Sequence, residues 1–169
     1  MFRIVLALIS LGLVSLPASA KITCVQEPIP VVQMHAGAHL TFSGGKMGAG
    51  LSVDALGGLG YGSWCASMPG VTVGPFAEVN AVASEGTTFT WGGRGSAGTF
   101  YAGDVGYYPV AMAAFDYGKS HGARTGTRKG IRVHSFLFDT AYSWHEEGAA
   151  VITGGVRAPV LPFMANHVL

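Results

Sequence analysis

The chain has 169 residues, of which 26 are glycine, 49% are hydrophobic and only 11% are charged. Soluble domains usually carry about 25% charged residues, so the composition argues against an ordinary cytosolic protein, and its hydrophobicity excludes a disordered chain. With a formal net charge of +1, the chain also lacks the basic field that binding to nucleic acid requires.

The N-terminal segment has the organisation of a secretory signal peptide. A short basic start, Met1–Arg3, precedes an apolar run over Ile4–Leu16 and the small residues Ala18–Ala20. An apolar run of about 13 residues is too short for a transmembrane helix, which needs about 20. We therefore predict a cleaved signal peptide over residues 1–20 and a single domain over residues 21–169.

Seven segments of the mature chain are predicted to form β-strands. In five of them, apolar residues alternate with polar or small residues, which is the period of a strand with one apolar face. These five cover residues 31–42, 46–55, 71–84, 89–97 and 149–160. Two further segments, 107–117 and 131–144, are strand-like but alternate poorly, as a bulge would explain. No segment has a sustained helical period, so the fold class is predicted to be all-β and antiparallel.

The alternation also predicts which residues face one another in the first hairpin. The polar positions are odd-numbered in the first strand and even-numbered in the second, so the turn must contain an even number of residues. The pair Gly44-Gly45 meets this condition and suits the tight hairpin turns that need positive φ. This turn places His35 opposite Asp54 on the polar face.

In the second hairpin, the polar positions of both strands are even-numbered, so the turn must contain an odd number of residues. We place this turn at Glu85–Thr87, which sets Glu78 opposite Arg94. Each hairpin is therefore predicted to carry one complementary polar pair.

The scarcity of charge predicts the location. A soluble barrel needs a broad charged surface, whereas a membrane barrel turns its apolar face to lipid and needs only a few paired charges in a narrow lumen. Strands of roughly 10 to 14 residues are long enough to cross a bilayer, which takes about 9 to 11, and only a closed barrel satisfies every strand backbone there. We predict a closed, antiparallel, up-and-down β-barrel of about eight strands whose lumen is plugged by the two polar pairs.

In these features the sequence resembles the small, eight-stranded outer-membrane β-barrel proteins of Gram-negative bacteria. The resemblance covers about residues 30–160 and rests on the signal peptide and on alternating strands such as Ala36–Phe42 and Gly74–Ala83. It implies an integral outer-membrane protein of the cell envelope. Its partners would be outer-membrane lipid or lipopolysaccharide, and the outer-membrane assembly machinery.

Secretion into an oxidising compartment would allow one disulfide, between Cys24 and Cys65. Bacterial barrels have even numbers of strands, so an eighth strand is expected, and Ile22–Pro28 is the candidate. That strand would place the two cysteines at opposite ends of the barrel, beyond the reach of a disulfide. The bonded pair and the extra strand are therefore alternatives.

The chain has one run of charge, a basic stretch over residues 119–129. Its cationic members are Lys119, Arg124, Arg128 and Lys129. We interpret the stretch as a solvated loop or as a surface that contacts anionic lipid phosphates.

The candidates for catalysis or metal binding are weak. His134 and Ser135 are neighbours on a strand and point to opposite faces, so they cannot form one catalytic dyad. His35 and His39 are separated by roughly 13 Å along a strand, too far to share one metal ion. We expect no catalysis, metal or cofactor, and a structural or surface-interaction role. The alternatives are a soluble periplasmic or secreted barrel that encloses a small hydrophobic ligand in the manner of lipocalins, and a lipid-modifying outer-membrane enzyme.

Overall fold

The computed structural model describes residues 27–62, 67–103, 106–135, 137–146 and 148–161. Neither the signal peptide predicted over residues 1–20 nor Cys24 and Cys65 fall within these residues. The described chain forms eight β-strands. In chain order they are β1 (Glu27–Ser43), β2 (Lys46–Gly62), β3 (Met68–Val82), β4 (Gly86–Gly103), β5 (Gly106–Gly122), β6 (Gly126–Ser135), β7 (Phe138–His145) and β8 (Val151–Leu161).

The eight strands form one antiparallel sheet that closes on itself. Each strand pairs with its neighbour in the sequence, and β8 pairs with β1 to complete a ring. The prediction of an all-β, antiparallel fold with eight strands is therefore confirmed. We call the end of the ring that carries the β1–β2, β3–β4, β5–β6 and β7–β8 connections the turn end. The opposite end, where β1 begins and β8 ends, is the terminal end.

The eighth strand is not where the sequence analysis placed it. Residues 131–144 contain the end of β6 and most of β7, joined by a turn, and Pro28 belongs to β1. The turn reverses the parity of the buried positions, which include Arg132 and His134 in β6 but Asp139 in β7. This reversal is why the segment alternates poorly as a whole. The predicted eighth strand over Ile22–Pro28 therefore shares residues 27 and 28 with β1, and the rest of that segment lies outside the described residues. Since the eighth strand is supplied by β7, the strand count no longer argues against a disulfide between the two cysteines.

The poor alternation of residues 107–117 has the cause that was predicted. In the pairing of β4 with β5, Thr99 lies opposite Ala111 while Phe100 lies opposite Pro109, so Val110 is an extra residue in β5. Proline cannot donate a ladder hydrogen bond and is tolerated at such bulges. The extra residue resets which side chains of β5 face inward.

The first hairpin has the predicted turn and register. Gly44 and Gly45 have φ angles of +53° and +79°, which glycine adopts without strain. Ser43 and Lys46 flank the turn as a pair, and His35 lies opposite Asp54. Strict alternation and a two-glycine turn were sufficient to fix this register.

The second hairpin has a different register from the predicted one. The turn lies at residues 83–85, so that Val82 pairs with Gly86 and Glu78 lies opposite Thr90. The turn is odd in length, as expected, but it begins two residues earlier because Gly86 is used at its end, with a φ of +99°. Arg94 is therefore opposite Gly74, and the predicted pairing of Glu78 with Arg94 is wrong.

The two faces of the sheet differ sharply in chemistry. Most of the buried residues inside the ring are polar or charged, while large apolar side chains on the outside are half exposed. Val53, for example, is 53% exposed, whereas its neighbour Asp54 is 6% exposed. The lipocalin-like alternative needs the apolar face to point inward, and in the structure that face points outward.

Candidate functional site

The ring interior is a candidate site because every strand contributes at least one buried ionisable side chain to it. Among the described residues, the buried charged groups are four arginines and four carboxylates. They are Arg94, Arg128, Arg132, Arg157, Asp54, Glu78, Asp116 and Asp139. An isolated charge in such a place is very costly, so the interior is stable only if these charges compensate one another.

Asp54 is the meeting point of three side chains. Its Oδ1 lies 2.9 Å from Nδ1 of His35, the residue that faces it across the first hairpin. Its Oδ2 accepts hydrogen bonds from Arg94 and Arg157. The predicted pair of His35 and Asp54 is thus present, but as one part of a larger network that spans the ring.

Arg94 faces the interior as predicted, with a different partner. Its Nε and Nη2 donate to the two carboxylate oxygens of Asp116 at 2.6 and 2.9 Å. Asp116 lies directly opposite Arg94 on β5, so the pair is bidentate and cross-strand. The aromatic ring of Phe76 lies beside the guanidinium group, 4.8 Å from its central carbon.

Glu78 accepts from two arginines of β6 instead of from Arg94. Arg128 Nη1 donates to its Oε1 at 2.8 Å, and Arg132 Nη2 donates to its Oε2 at 2.7 Å. Arg132 also donates to Asp139 and lies 3.5 Å from Asp116. These contacts join carboxylates of three strands, β3, β5 and β7, through the two arginines of β6.

A second polar layer, built on His39 and Asn80, lies on the turn side of this network. Nε2 of His39 is 2.8 Å from Oδ1 of Asn80, which also accepts from the hydroxyl of Thr41 at 2.7 Å. The amide nitrogen of Asn80 donates to Glu78 at 2.7 Å. Gly50 is opposite His39, and a Cβ atom there would overlap the imidazole, so the layer depends on a glycine at this position.

The terminal end of the interior is filled by apolar side chains, which the sequence analysis did not foresee. They are Ile29, Val31, Met68, Phe100 and Met112, and each is 2% exposed or less. The available signal was Ile29 and Val31, which continue the inward, odd-numbered parity of His35 in β1. The interior therefore combines an apolar layer with ionic and polar layers.

The basic stretch over residues 119–129 does not form one surface. It covers the end of β5, a turn and the start of β6, so its side chains alternate between faces. Lys119 and Lys129 are exposed on the outer face. Arg128 is 1% exposed inside the ring, so its predicted role as a surface or lipid contact is wrong.

Arg124 connects three turns at the turn end. It donates to Glu85 at 2.7 Å, to the hydroxyl of Ser43 and to the carbonyl of Ala149. The hydrogen bond from Arg124 lowers the pKa of Glu85 below its ordinary value. At the same end of the ring, a hydrogen bond from the backbone of Thr127 lowers the pKa of Glu146.

The proposed catalytic alternatives gain no geometric support. Ser135 is exposed and donates to the carbonyl of Val110 at 2.7 Å, whereas His134 is buried with Nδ1 at 2.6 Å from Nη1 of Arg157. The two side chains point to opposite faces, as predicted. His35, His39 and His134 are held by carboxylate, arginine or amide groups. Nε2 of His145 lies 3.1 Å from the hydroxyl of Ser120, but its Nδ1 has no hydrogen-bond partner among the described residues, so no acidic group orients this imidazole as in a catalytic triad.

The outer face is the second candidate site. In the described chain, 23 large hydrophobic side chains are between 40% and 73% exposed, and they come from all eight strands. Among the described residues, exposed charged side chains occur only at or near the turn end. They are Lys46, Lys119, Lys129 and Glu146. Between the turn end and the terminal end, the exposed side chains of the described outer surface are mostly apolar, and we call this surface the apolar belt.

Other functional signatures are absent from the part of the chain that the structure describes. No group of three or more His, Cys, Asp or Glu side chains there could hold a metal ion. None of its elements is a helix with the length and apolar character needed to span a membrane. Comparison of the chain with models of protein families, with curated proteins and with solved structures found no match.

Proposed function

We propose that the protein is an integral β-barrel of a bacterial outer membrane, with a plugged polar lumen and a structural or surface-interaction role without catalysis. The observation that carries the proposal is the apolar belt on the outer face, combined with an ionic interior. This is the reverse of a soluble barrel, and it is the arrangement that a lipid solvent favours.

The energetic argument starts from the belt. A contiguous apolar patch larger than a few hundred Å² is rare on soluble monomers, because water penalises it. Here the apolar side chains surround the ring, and lipid would remove that penalty. A β-strand crosses a bilayer with about 9 to 11 residues, and β1 to β5 contain 15 to 18 residues each. Each strand also pairs with a neighbour on both sides over at least part of its length, which closes the ring as a membrane requires.

The outer lysines fit the headgroup region of such a membrane. Lys119 pairs across strands with Trp91, and Lys129 lies between Tyr117 and Trp144. Aromatic rings and lysine ammonium groups are the side chains that favour a membrane interface. We propose that this cluster contacts anionic phosphates of outer-membrane lipid or lipopolysaccharide. The outer-membrane assembly machinery is the protein partner that the proposal implies.

The filled interior supports a role other than transport. An eight-stranded barrel has room only for side chains, and here that room holds an ionic network with an apolar layer beside it. The function then depends on the surface that the ring presents outside the membrane and on its mechanical stability.

Fractionation of cells that express the full chain tests the proposal. We expect the protein in the outer-membrane fraction, resistant to extraction with carbonate or urea and soluble in detergent. Its mobility in gel electrophoresis should change on boiling, because a folded membrane barrel resists dodecyl sulfate until it is heated. Recovery from the periplasm or medium without detergent would refute the proposal and favour a soluble barrel.

A further inference from the structure

A small polar cavity lies inside the ring at the turn end. Its volume is about 10 Å³, which is on the scale of one water-sized particle. The walls include Arg124, Arg128, His145, Thr88 and Ser143, and no carboxylate is among the residues that line it. The wall of the cavity, in the described residues, therefore has two guanidinium groups and no carboxylate.

Arg128 is the residue that points to a ligand. It is 1% exposed, and Nη1 is its one donor with a partner, Glu78 at 2.8 Å. Its Nε and Nη2 have no hydrogen-bond partner among the described residues. An arginine cannot lose its proton, so two buried donors of a cation without acceptors carry a large desolvation cost.

Among the described residues, Arg128 has one carboxylate partner, Glu78, through one hydrogen bond. Arg132 also donates to Glu78 at 2.7 Å, and it has two further carboxylates beside it, Asp139 and Asp116. The other arginine of the cavity, Arg124, is bonded to Glu85 on the rim rather than inside. A ligand that accepts hydrogen bonds and carries negative charge would satisfy the two open donors of Arg128 and would lie beside both guanidinium groups of the cavity wall.

We propose that this cavity binds one monatomic anion of the halide class, such as chloride, through Nε and Nη2 of Arg128. Phosphate and carboxylate ligands are also negatively charged, but a space of this size does not admit them. A water molecule fits the space and accepts hydrogen bonds, but it has no net charge to attract the two guanidinium groups. The proposal concerns the interior of the ring and does not depend on where the ring is located.

The direct test is a crystal of the protein grown with bromide, whose anomalous scattering identifies the ion. We expect an anomalous peak within hydrogen-bond distance of Nε and Nη2 of Arg128. Ordinary water density without an anomalous peak at that position would overturn the proposal.

A test in solution compares unfolding in sodium chloride and in sodium gluconate at equal ionic strength. Gluconate is too large for the cavity, so we expect a higher unfolding midpoint in chloride, with a shift that saturates as the site fills. Arg128→Met should abolish the difference between the salts. Arg157→Met is the matched control, because it also removes a buried guanidinium group but does not line the cavity, and it should keep the difference. Equal midpoints of the wild-type protein in the two salts would contradict the proposal, as would a chloride effect that Arg128→Met retains.

Discussion

Asp54 has three partners in the ionic network, because His35, Arg94 and Arg157 all contact its carboxylate. Replacement by asparagine keeps the shape but removes the negative charge from beside two buried guanidinium groups. Breaking a buried ion pair from one side typically costs about 3–5 kcal/mol, because the remaining charge is left without compensation. We expect Asp54→Asn to lower the free energy of unfolding by about that amount, measured by urea titration of the refolded protein.

A neighbouring substitution provides the control for this experiment. Ser52 is also buried and inward-facing on β2, but it is uncharged. Ser52→Ala should therefore lower the free energy of unfolding far less than Asp54→Asn does. Similar losses for the two variants would mean that the charge network contributes little to stability.

The depth of a residue in the apolar belt should decide the cost of placing a charge there. Val53 lies near the middle of β2 and Met47 lies beside its turn-end terminus, on the same outer face. The two positions are about 20 Å apart along the strand. In vesicles, Val53→Arg should lower the free energy of unfolding by about 2–4 kcal/mol, as expected for a charge at the midplane of a bilayer. Met47→Arg should lower it by no more than about 1 kcal/mol, as expected for a charge at the interface.

Unfolding of both variants from lipid vesicles measures this difference. The comparison distinguishes lipid from water around the belt, because both variants introduce the same side chain on the same face of the same strand and differ only in depth. Equal costs at the two positions would contradict a membrane-embedded belt. They would instead be expected if water surrounded the whole outer face.

The two predicted hairpins show what a sequence pattern can determine. Between β1 and β2, the pair of glycines allowed only one placement of the turn, so the alternation predicted the correct register. In β3 and β4, parity required only an odd turn, and residues 83–85 and 85–87 both met that condition. The difference between them moved Arg94 four residues along its partner strand, away from Glu78. Parity fixes the face of a side chain, whereas its partner depends on the length and position of the turn.

Charge runs were a poorer guide than alternation. Arg128 was grouped with the exposed lysines because it stands near them in the sequence, yet β6 begins at Gly126 and turns it inward. The parity of β6, with Arg128, Arg132 and His134 on one face, was readable once the strand boundary was known. The turn that separates β6 from β7 hid that boundary within one apparently continuous segment.

The register of β1 with β2 predicts a disulfide just beyond the described strands. The numbers of paired residues in this hairpin sum to 89, from Ser43 with Lys46 to Glu27 with Gly62. The numbers of Cys24 and Cys65 have the same sum, so continuation of the pairing would bring them directly opposite each other. Opposite Cα atoms in antiparallel strands are about 4.5–5.5 Å apart, within the range of a disulfide.

Mass spectrometry of the unreduced, proteolysed protein should therefore detect a linked peptide containing Cys24 and Cys65. Alkylation of both thiols in the secreted protein without prior reduction would contradict the prediction. A Cys65→Ser variant is the control, since it should leave Cys24 free to react with the alkylating reagent.

The contact between Glu85 and Arg124 predicts a pH dependence at the turn end. The pKa of Glu85 lies below its ordinary value of 4.5, because Arg124 donates a hydrogen bond to the carboxylate. The contact is therefore fully present above that ordinary value and is lost as the pH falls through the lowered pKa of the folded state. The measurement is hydrogen exchange of the backbone amides in the turn at residues 83–85, corrected for the intrinsic exchange rate at each pH. We expect these amides to become less protected in this acidic range.

The same measurement on Glu85→Gln gives the control, because glutamine does not titrate. Its turn should show similar protection above and below the acidic range. An identical pH profile for the wild-type protein and this variant would show that another group controls the turn.

At the scale of the whole molecule, the interior is built by residues that are distant in the sequence. Glu78 is bonded to Arg128, 50 residues away, and Asp54 to Arg157, 103 residues away. Hairpin registers alone could not predict these contacts, because they cross the ring rather than the space between neighbouring strands. Their effect is to fill the centre with compensated charge, while Phe100 and Met68 help to close the terminal end with apolar side chains.

This filling predicts that the ring does not conduct ions. An ion that crossed it would have to displace arginine–carboxylate contacts and then pass the apolar layer, which offers no groups to replace its hydration shell. Purified protein reconstituted in planar lipid bilayers should give no stable current steps at moderate voltage. The double variant Met68→Ala and Phe100→Ala should also be silent, because the ionic layer remains in place after the apolar layer is thinned. Reproducible single-channel steps from the wild-type protein would mean that the interior opens, and would require a transport role in place of the structural one.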